Sequence, residues 1–203
     1  MTGNIITMKL KGCMLALALT SGACSAATAE KGFEITPWIG YSMSSELVDA
    51  TGGDLSVDNG PSLGFSVAWY DSANGQGQVL LSRVSHQFDY GDNLTQDLDI
   101  TYGHFNGIAF FHQEHYITTV SLGIGFAQFD AQYDDDIFPS AGVAVGTRHQ
   151  FSDKLAFVTE LRGNFSLVDE DSGIFCQNDV CSAEFSEALW LDTSFSVGLS
   201  YQF

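Results

Sequence analysis

The stretch from Leu189 to Phe203 constrains this chain more than any other. Its odd positions read Leu189, Leu191, Thr193, Phe195, Val197, Leu199, Tyr201, Phe203, and its even positions Trp190, Asp192, Ser194, Ser196, Gly198, Ser200, Gln202. Successive side chains of a strand point to opposite faces, so this is one strand with an apolar face and a polar face. Soluble strands usually run about five or six residues. A strand crossing hydrocarbon at about 45° needs about 9–11 for the hydrocarbon alone. Only Thr193 interrupts the apolar row, as a lipid-facing surface requires.

The pattern recurs. The first strand sets Phe33, Ile35, Pro37, Ile39 and Tyr41 against Glu34, Thr36, Trp38, Gly40 and Ser42. The second sets Leu63, Phe65, Val67 and Trp69 against Ser62, Gly64, Ser66 and Ala68. The fifth has Tyr116, Thr118, Val120, Leu122, Ile124 and Phe126 against Thr119, Ser121, Gly123 and Gly125. In the sixth, Val143 and Val145 oppose Gly142, Gly146 and Arg148; in the seventh, Leu155, Phe157, Leu161, Phe165 and Leu167 oppose Glu160, Arg162, Asn164 and Ser166. The third (78–88) and fourth (97–111) alternate less cleanly, and a bulge near His104 is expected in the fourth. Pro37 lacks an N–H, so its neighbourhood is expected to be irregular.

Connections after the second, fourth and sixth strands are short: Asp71–Gly77 with its Asn74-Gly75 turn, His112–His115, and Ser152-Asp153. Those after the first, third, fifth and seventh are expected to be longer, acidic and external. Such alternation predicts an all-β fold, an eight-stranded antiparallel up-and-down transmembrane β-barrel with both termini in the periplasm. Phe33, Trp69, Tyr70, Phe110, Phe111, Tyr116, Phe151, Tyr201 and Phe203 gather at the expected periplasmic ends, as an aromatic girdle does.

The N-terminus reads as a secretory signal over residues 1–29. Lys9 and Lys11 precede a short apolar run, Met14 to Leu19, and Ala27-Thr28-Ala29 offers a cleavage site before Glu30. Met8 provides a second start. Ser21-Gly22-Ala23-Cys24 resembles a lipobox, but Ser21 stands where Leu is usual, and conventional cleavage is expected. The barrel then occupies residues 30–203. All 25 acidic residues lie in that part, against Lys31, Arg83, Arg148, Lys154 and Arg162. So negative a surface would repel nucleic acid and suits divalent cations.

Ser196-x-Gly198-x-x-Tyr201-x-Phe203 resembles the C-terminal assembly signal that barrel-insertion machinery reads in outer-membrane proteins. Across residues 30–203 the chain resembles the outer membrane protein beta-barrel domain family, the small OmpA- and OmpX-like barrels. Phe33 to Tyr41 is similar to that family's first strand, and Cys176 and Cys181 to a cysteine pair some members carry before the last strand. The resemblance implies the fold and the cell outer membrane, and little about activity.

Candidate functional residues form four sets. Glu34, Arg148, Glu160 and Arg162 fall on polar faces and are expected to pair inside the barrel, because an isolated buried ion costs several kcal/mol or more; Arg83 is a further candidate. Eight strands leave an interior just wide enough for side chains, which excludes a wide porin channel. Cys176 and Cys181 are the only cysteines after cleavage and are expected to form a disulfide in the last external loop. The external acids, among them Asp134-Asp135-Asp136, suit weak cation bridging to lipopolysaccharide, with no EF-hand spacing and no metal site expected. Five histidines (His86, His104, His112, His115, His149) include no H-E-x-x-H motif.

The sequence therefore supports a non-enzymatic barrel without cofactor, with a structural, adhesive or envelope-interaction role. Its expected partners are outer-membrane lipids, lipopolysaccharide, the insertion machinery and divalent cations. The alternative is an outer-membrane enzyme acting on lipid A or phospholipid, which needs a Ser/His/acid set at the outer rim, for example Ser85 and His86 with an acidic loop residue, although adjacent strand residues point to opposite faces. A soluble lipocalin-like barrel would invert the two faces and leave long apolar rows in water.

Overall fold

The computed structural model describes residues 32–203 except 46, 50–53, 56, 91–93, 132–133, 169–172, 178–179 and 186–187. The expected signal sequence, residues 1–29, lies outside the described residues. Eight long strands carry the alternating segments: β1 (Phe33–Ser44), β2 (Gly60–Ser72), β3 (Gly75–Tyr90), β4 (Leu94–His112), β5 (Ile117–Ala131), β6 (Asp134–Gln150), β7 (Leu155–Leu167) and β8 (Leu189–Gln202). Each pairs antiparallel with the next, and β1 also pairs with β8, so the sheet closes.

Register fixes the geometry of closure. The inward position Ser44 lies opposite Asp192, then Asn164, Gly142, Gly123, Asn106, Gln78 and Ala68 around the wall; the circuit returns to β1 at Glu34, ten residues from its start. Such a stagger over eight strands tilts them by about 40° and leaves a lumen of side-chain width. Closure leaves no edge of unpaired peptide groups, the condition for a sheet to stand in hydrocarbon.

The belt facing outward is apolar. Ile39, Leu63, Leu122, Ile124, Val145 and Phe195 are all exposed, Ile124 at 72%. The opposite face of the same strands buries Glu34, Thr36, Ser66, Gln78, Asn106, Arg148, Glu160 and Arg162. Above this belt the polarity reverses. Beyond Leu81 the outward positions of β3 are Arg83, Ser85 and Gln87, and β4 and β5 turn Asp97, Asp99 and Asp130 outward. Inward at the same level stand Val84, Leu98, Ile100, Phe129 and Ala131, joined with Leu47, Val57, Val168 and Trp190 in one apolar cluster. Outside the belt the neighbouring medium is water rather than lipid, so the barrel end is built like a soluble protein.

That reversal corrects two expectations. The fourth strand has no bulge near His104: β4 keeps one register with β3 and with β5 throughout. Its uneven alternation comes from the change of inward residues, from Leu98, Ile100 and Tyr102 to His104 and Asn106. The irregularity lies instead at the first turn, between Tyr70 and Ser72. The third and fifth connections are also short, because the acidic stretches around Asp97, Asp99 and Asp130 continue as hydrogen-bonded strand, with Tyr90 opposite Leu94 and Ala131 opposite Asp134. Around Pro37 the β1–β8 ladder skips Thr36 and Pro37 without losing register, as the missing N–H dictates.

At the loop end the connections after β1 and β7 meet in a small sheet of Gly173–Gln177, Val180–Phe185, Leu47–Asp49 and Asp54–Leu55. Val57–Asp58 adds separately to the loop end of β3.

The lipid-facing reading predicts unequal responses to an introduced arginine at two heights. Leu122→Arg, in the middle of the belt, should destabilise the barrel by about 2–4 kcal/mol, and Gln87→Arg, above it, by less than about 1 kcal/mol. Guanidinium unfolding of the protein in lipid vesicles reads both.

Candidate functional site: buried charge pairs and an acidic rim

Buried carboxylates recur at three levels of the barrel. Nearest the end that carries both termini and the short turns, Arg148 on β6 reaches across the lumen to Glu34 on β1. Its Nη1 lies 2.7 Å from Oε1 and its Nη2 2.7 Å from Oε2. The first contact is a charge-assisted hydrogen bond, while Nη2 lies close enough for the charges to attract but makes no hydrogen bond. The Tyr70 hydroxyl donates to Glu34 Oε2 at 3.3 Å, and Arg148 Nε donates to Gln150 at 3.2 Å.

Half-way up, Arg162 Nε donates to Glu160 Oε1 at 2.8 Å, two residues away on the same face of β7. A polar ladder runs beside it: Asn106 donates to Gln78, Gln78 to Ser66, and Trp38 Nε1 to Ser66 as well. His104 Nε2 lies 3.1 Å from Ser140 Oγ, which also accepts from Ser166. A cavity of about 30 Å³ between Trp38, Glu160, Arg162, Asn164 and Ser194 has room for about one water molecule. The four charged residues expected in the interior are thus at most 8% exposed and within reach of a partner.

The third level was not singled out in the sequence. Asp192 on β8 is wholly buried and accepts from Ser42 Oγ, from Tyr102 OH at 3.1 Å, and faces His86 Nε2 at 3.3 Å. His86 Nδ1 in turn lies 2.9 Å from the carbonyl oxygen of Asp58. Four strands far apart in sequence contribute, so only the register brings the group together. The one available signal was an Asp on the inward face of a strand, which needs donors from its neighbours.

Outside the wall at the same end, a hollow of about 720 Å³ is lined by Tyr41, Asp58, Asn59, Ser85, Gln87, Asp97 and Asp99 among others. Arg83 Nη2 and Ser85 Oγ donate to Asp99 at 2.6 and 2.5 Å, and Gln87 to Asp97 at 2.7 Å. Partial burial pushes the Asp99 carboxyl up, but the Arg83 and Ser85 bonds and the Arg83 charge outweigh it and hold the group below its ordinary value. Ser85 and His86 do not meet. Ser85 faces out onto Asp99, while His86 faces in and both its nitrogens are engaged. Arg83 is likewise outside the interior set.

The remaining candidates sit apart. His112, His115 and His149 are exposed at the turn end, and the described residues contain no group of three potential metal ligands. Cys176 stands opposite Cys181 in the backbone register, where opposed Cα atoms are about 4.5–5.5 Å apart, inside the span a disulfide bridges; the two side chains, and with them the expected disulfide, lie outside what the structure describes. Of the C-terminal motif, Ser196 pairs opposite Gly40 and Glu160. Gly198 packs so close to β1 that a Cβ there would meet the Pro37 carbonyl at 2.7 Å. Tyr201 and Phe203 stand exposed with ring centroids 5.8 Å apart.

Comparison with solved structures places this geometry. Neisserial surface protein A matches with a TM-score of 0.57 over 84% of this chain and 97% of its own, at 14% identity. The outer membrane protein OprG from Pseudomonas aeruginosa matches with 0.59 over 86% and 97%, at 11% identity. The fold is that of the small outer-membrane barrels. No family model matches the chain, and no curated protein does. An apolar belt outside and charges inside put the barrel in the outer membrane, and the likeness in fold agrees.

Breaking the lowest pair tests its weight. Glu34→Gln leaves Arg148 buried without its counter-charge and should cost about 3–5 kcal/mol, whereas Glu34→Gln with Arg148→Met should recover most of that. Denaturant unfolding of the two variants in the same detergent gives the comparison.

Proposed function

We propose that this chain is a filled outer-membrane barrel that acts through its external surface, in a structural, adhesive or envelope-interaction role, and passes no solutes of porin size. The observation that carries the reading is the interior: paired guanidinium and carboxylate groups at two levels, a space of about 30 Å³ beside the upper pair, and the apolar cluster around Trp190 and Phe129 above. A side-chain-wide lumen occupied in this way has no continuous water column.

The outer surface is where recognition chemistry remains. Asp58, Asp97, Asp99, Asp130 and Asp135 present carboxylates above the belt, suited to divalent cations that also bridge lipopolysaccharide phosphates. A disulfide between Cys176 and Cys181 would staple the hairpin of the last external connection. The alternative of a lipid-modifying enzyme gains no support from Ser85 and His86, whose side chains lie on opposite faces of β3.

Two measurements separate these readings. Proteoliposomes carrying the barrel should resist sugar-driven swelling, and a deletion strain should lose attachment or envelope robustness while its lipid A mass spectrum stays unchanged. Rapid swelling would contradict the filled interior. A changed lipid A spectrum would revive the enzyme.

A further inference from the structure

The connection from β1 returns to the wall through Val57 and Asp58, which pair with Phe88 and Gln87 at the loop end of β3. Val57 is 8% exposed and belongs to the apolar cluster at the loop end of the barrel. Below it, His86 joins this segment to β8, with Nδ1 at 2.9 Å from the Asp58 carbonyl oxygen and Nε2 at 3.3 Å from Asp192 Oδ2. The two partners impose a proton count. A carbonyl oxygen only accepts, and an ionised carboxylate only accepts, whereas a neutral imidazole has a single N–H. Ser42 and Tyr102 both donate to Asp192. An imidazolium donates to both acceptors; a neutral ring gives up one of the two bonds and sets a nitrogen lone pair against an acceptor oxygen.

We propose that His86 is a proton-operated clasp, holding the Val57–Asp58 segment onto the barrel wall while its ring carries two protons, and loosening it when one is lost.

The surroundings agree. Asp192 faces His86 from β8, with Tyr102 of β4 bound to the same carboxylate, and the Asp58 carbonyl faces it from the returning segment; Asp99 of β4 adds its charge from the outer side of the wall, where it also neutralises Arg83, three residues before His86 on β3. His86 stands above the apolar belt, between the outward polar positions Ser85 and Gln87. Burial pushes its ring down, but the bond to Asp192, the Asp192 charge and the Asp58 carbonyl outweigh this and hold it above its ordinary value of 6.5. The clasp therefore contributes fully below that ordinary value and is lost as pH rises through the higher folded-state value.

Hydrogen exchange of the full chain in detergent, corrected for intrinsic rates and followed between about pH 5.5 and pH 9, tests this. Protection of the amides from Val57 to Gly60 should hold at the acid end and fall at least about tenfold at the alkaline end, one factor of ten corresponding to about 1.4 kcal/mol. Protection in the middle of β5 should stay constant. Asp192→Asn should move the fall to lower pH, and His86→Gln should abolish the pH dependence. Ring nitrogen NMR of the unaltered protein should find both His86 nitrogens protonated at about pH 6. A neutral ring there, or protection at residues 57–60 that never changes with pH, or a change that persists in His86→Gln, would overturn the proposal.

Discussion

Inside hydrocarbon a peptide group has nothing to bond to except another peptide group, and leaving one unpaired costs several kcal/mol. Every other feature of this barrel follows from that demand. It requires the strands to close on themselves, and closure over eight strands with a ten-residue stagger fixes the width of the lumen. That width is about what inward side chains occupy. Because one face of each strand must satisfy lipid, the other receives whatever polarity the sequence carries, and those groups have to satisfy one another. Glu34 with Arg148 and Glu160 with Arg162 are the outcome.

How much of this was legible in the sequence depends on where each strand meets its solvent. Strands β1, β2, β5, β7 and β8 lie largely within the belt, so one phase of alternation runs through them and their faces can be read directly. Strands β3 and β4 cross from lipid into water. Their inward side chains change from Gln78, His104 and Asn106 to Val84, Ile100 and Leu98 while the backbone register runs on unbroken, so a change of surroundings imitates a bulge. The acidic stretches that read as loops are strand for the same reason: in water, Asp97 and Asp99 face outward over an apolar interior, the pattern of an ordinary soluble sheet.

The interior pairs were legible because charged residues on a face that turns inward have few alternatives to pairing. The group around Asp192 was not. Its members come from β1, β3, β4 and β8, and no spacing within one segment announces them; they meet through the stagger of the barrel. Their position at the boundary between the polar lower lumen and the apolar cap gives them a structural task, tying the last strand to the external connections. On the proposed reading, the lower barrel is a scaffold and the recognition chemistry lies at the loop end.

The central claim is a closed barrel with its apolar face in lipid, and electrophoretic mobility tests it most directly. Protein from an isolated outer-membrane fraction is run with and without boiling in detergent. A closed barrel resists the detergent until heated, so the unboiled sample should migrate faster than the boiled one. Equal mobility, with the protein recovered from the soluble periplasm, would contradict the account and return the apolar rows to the inside of the molecule.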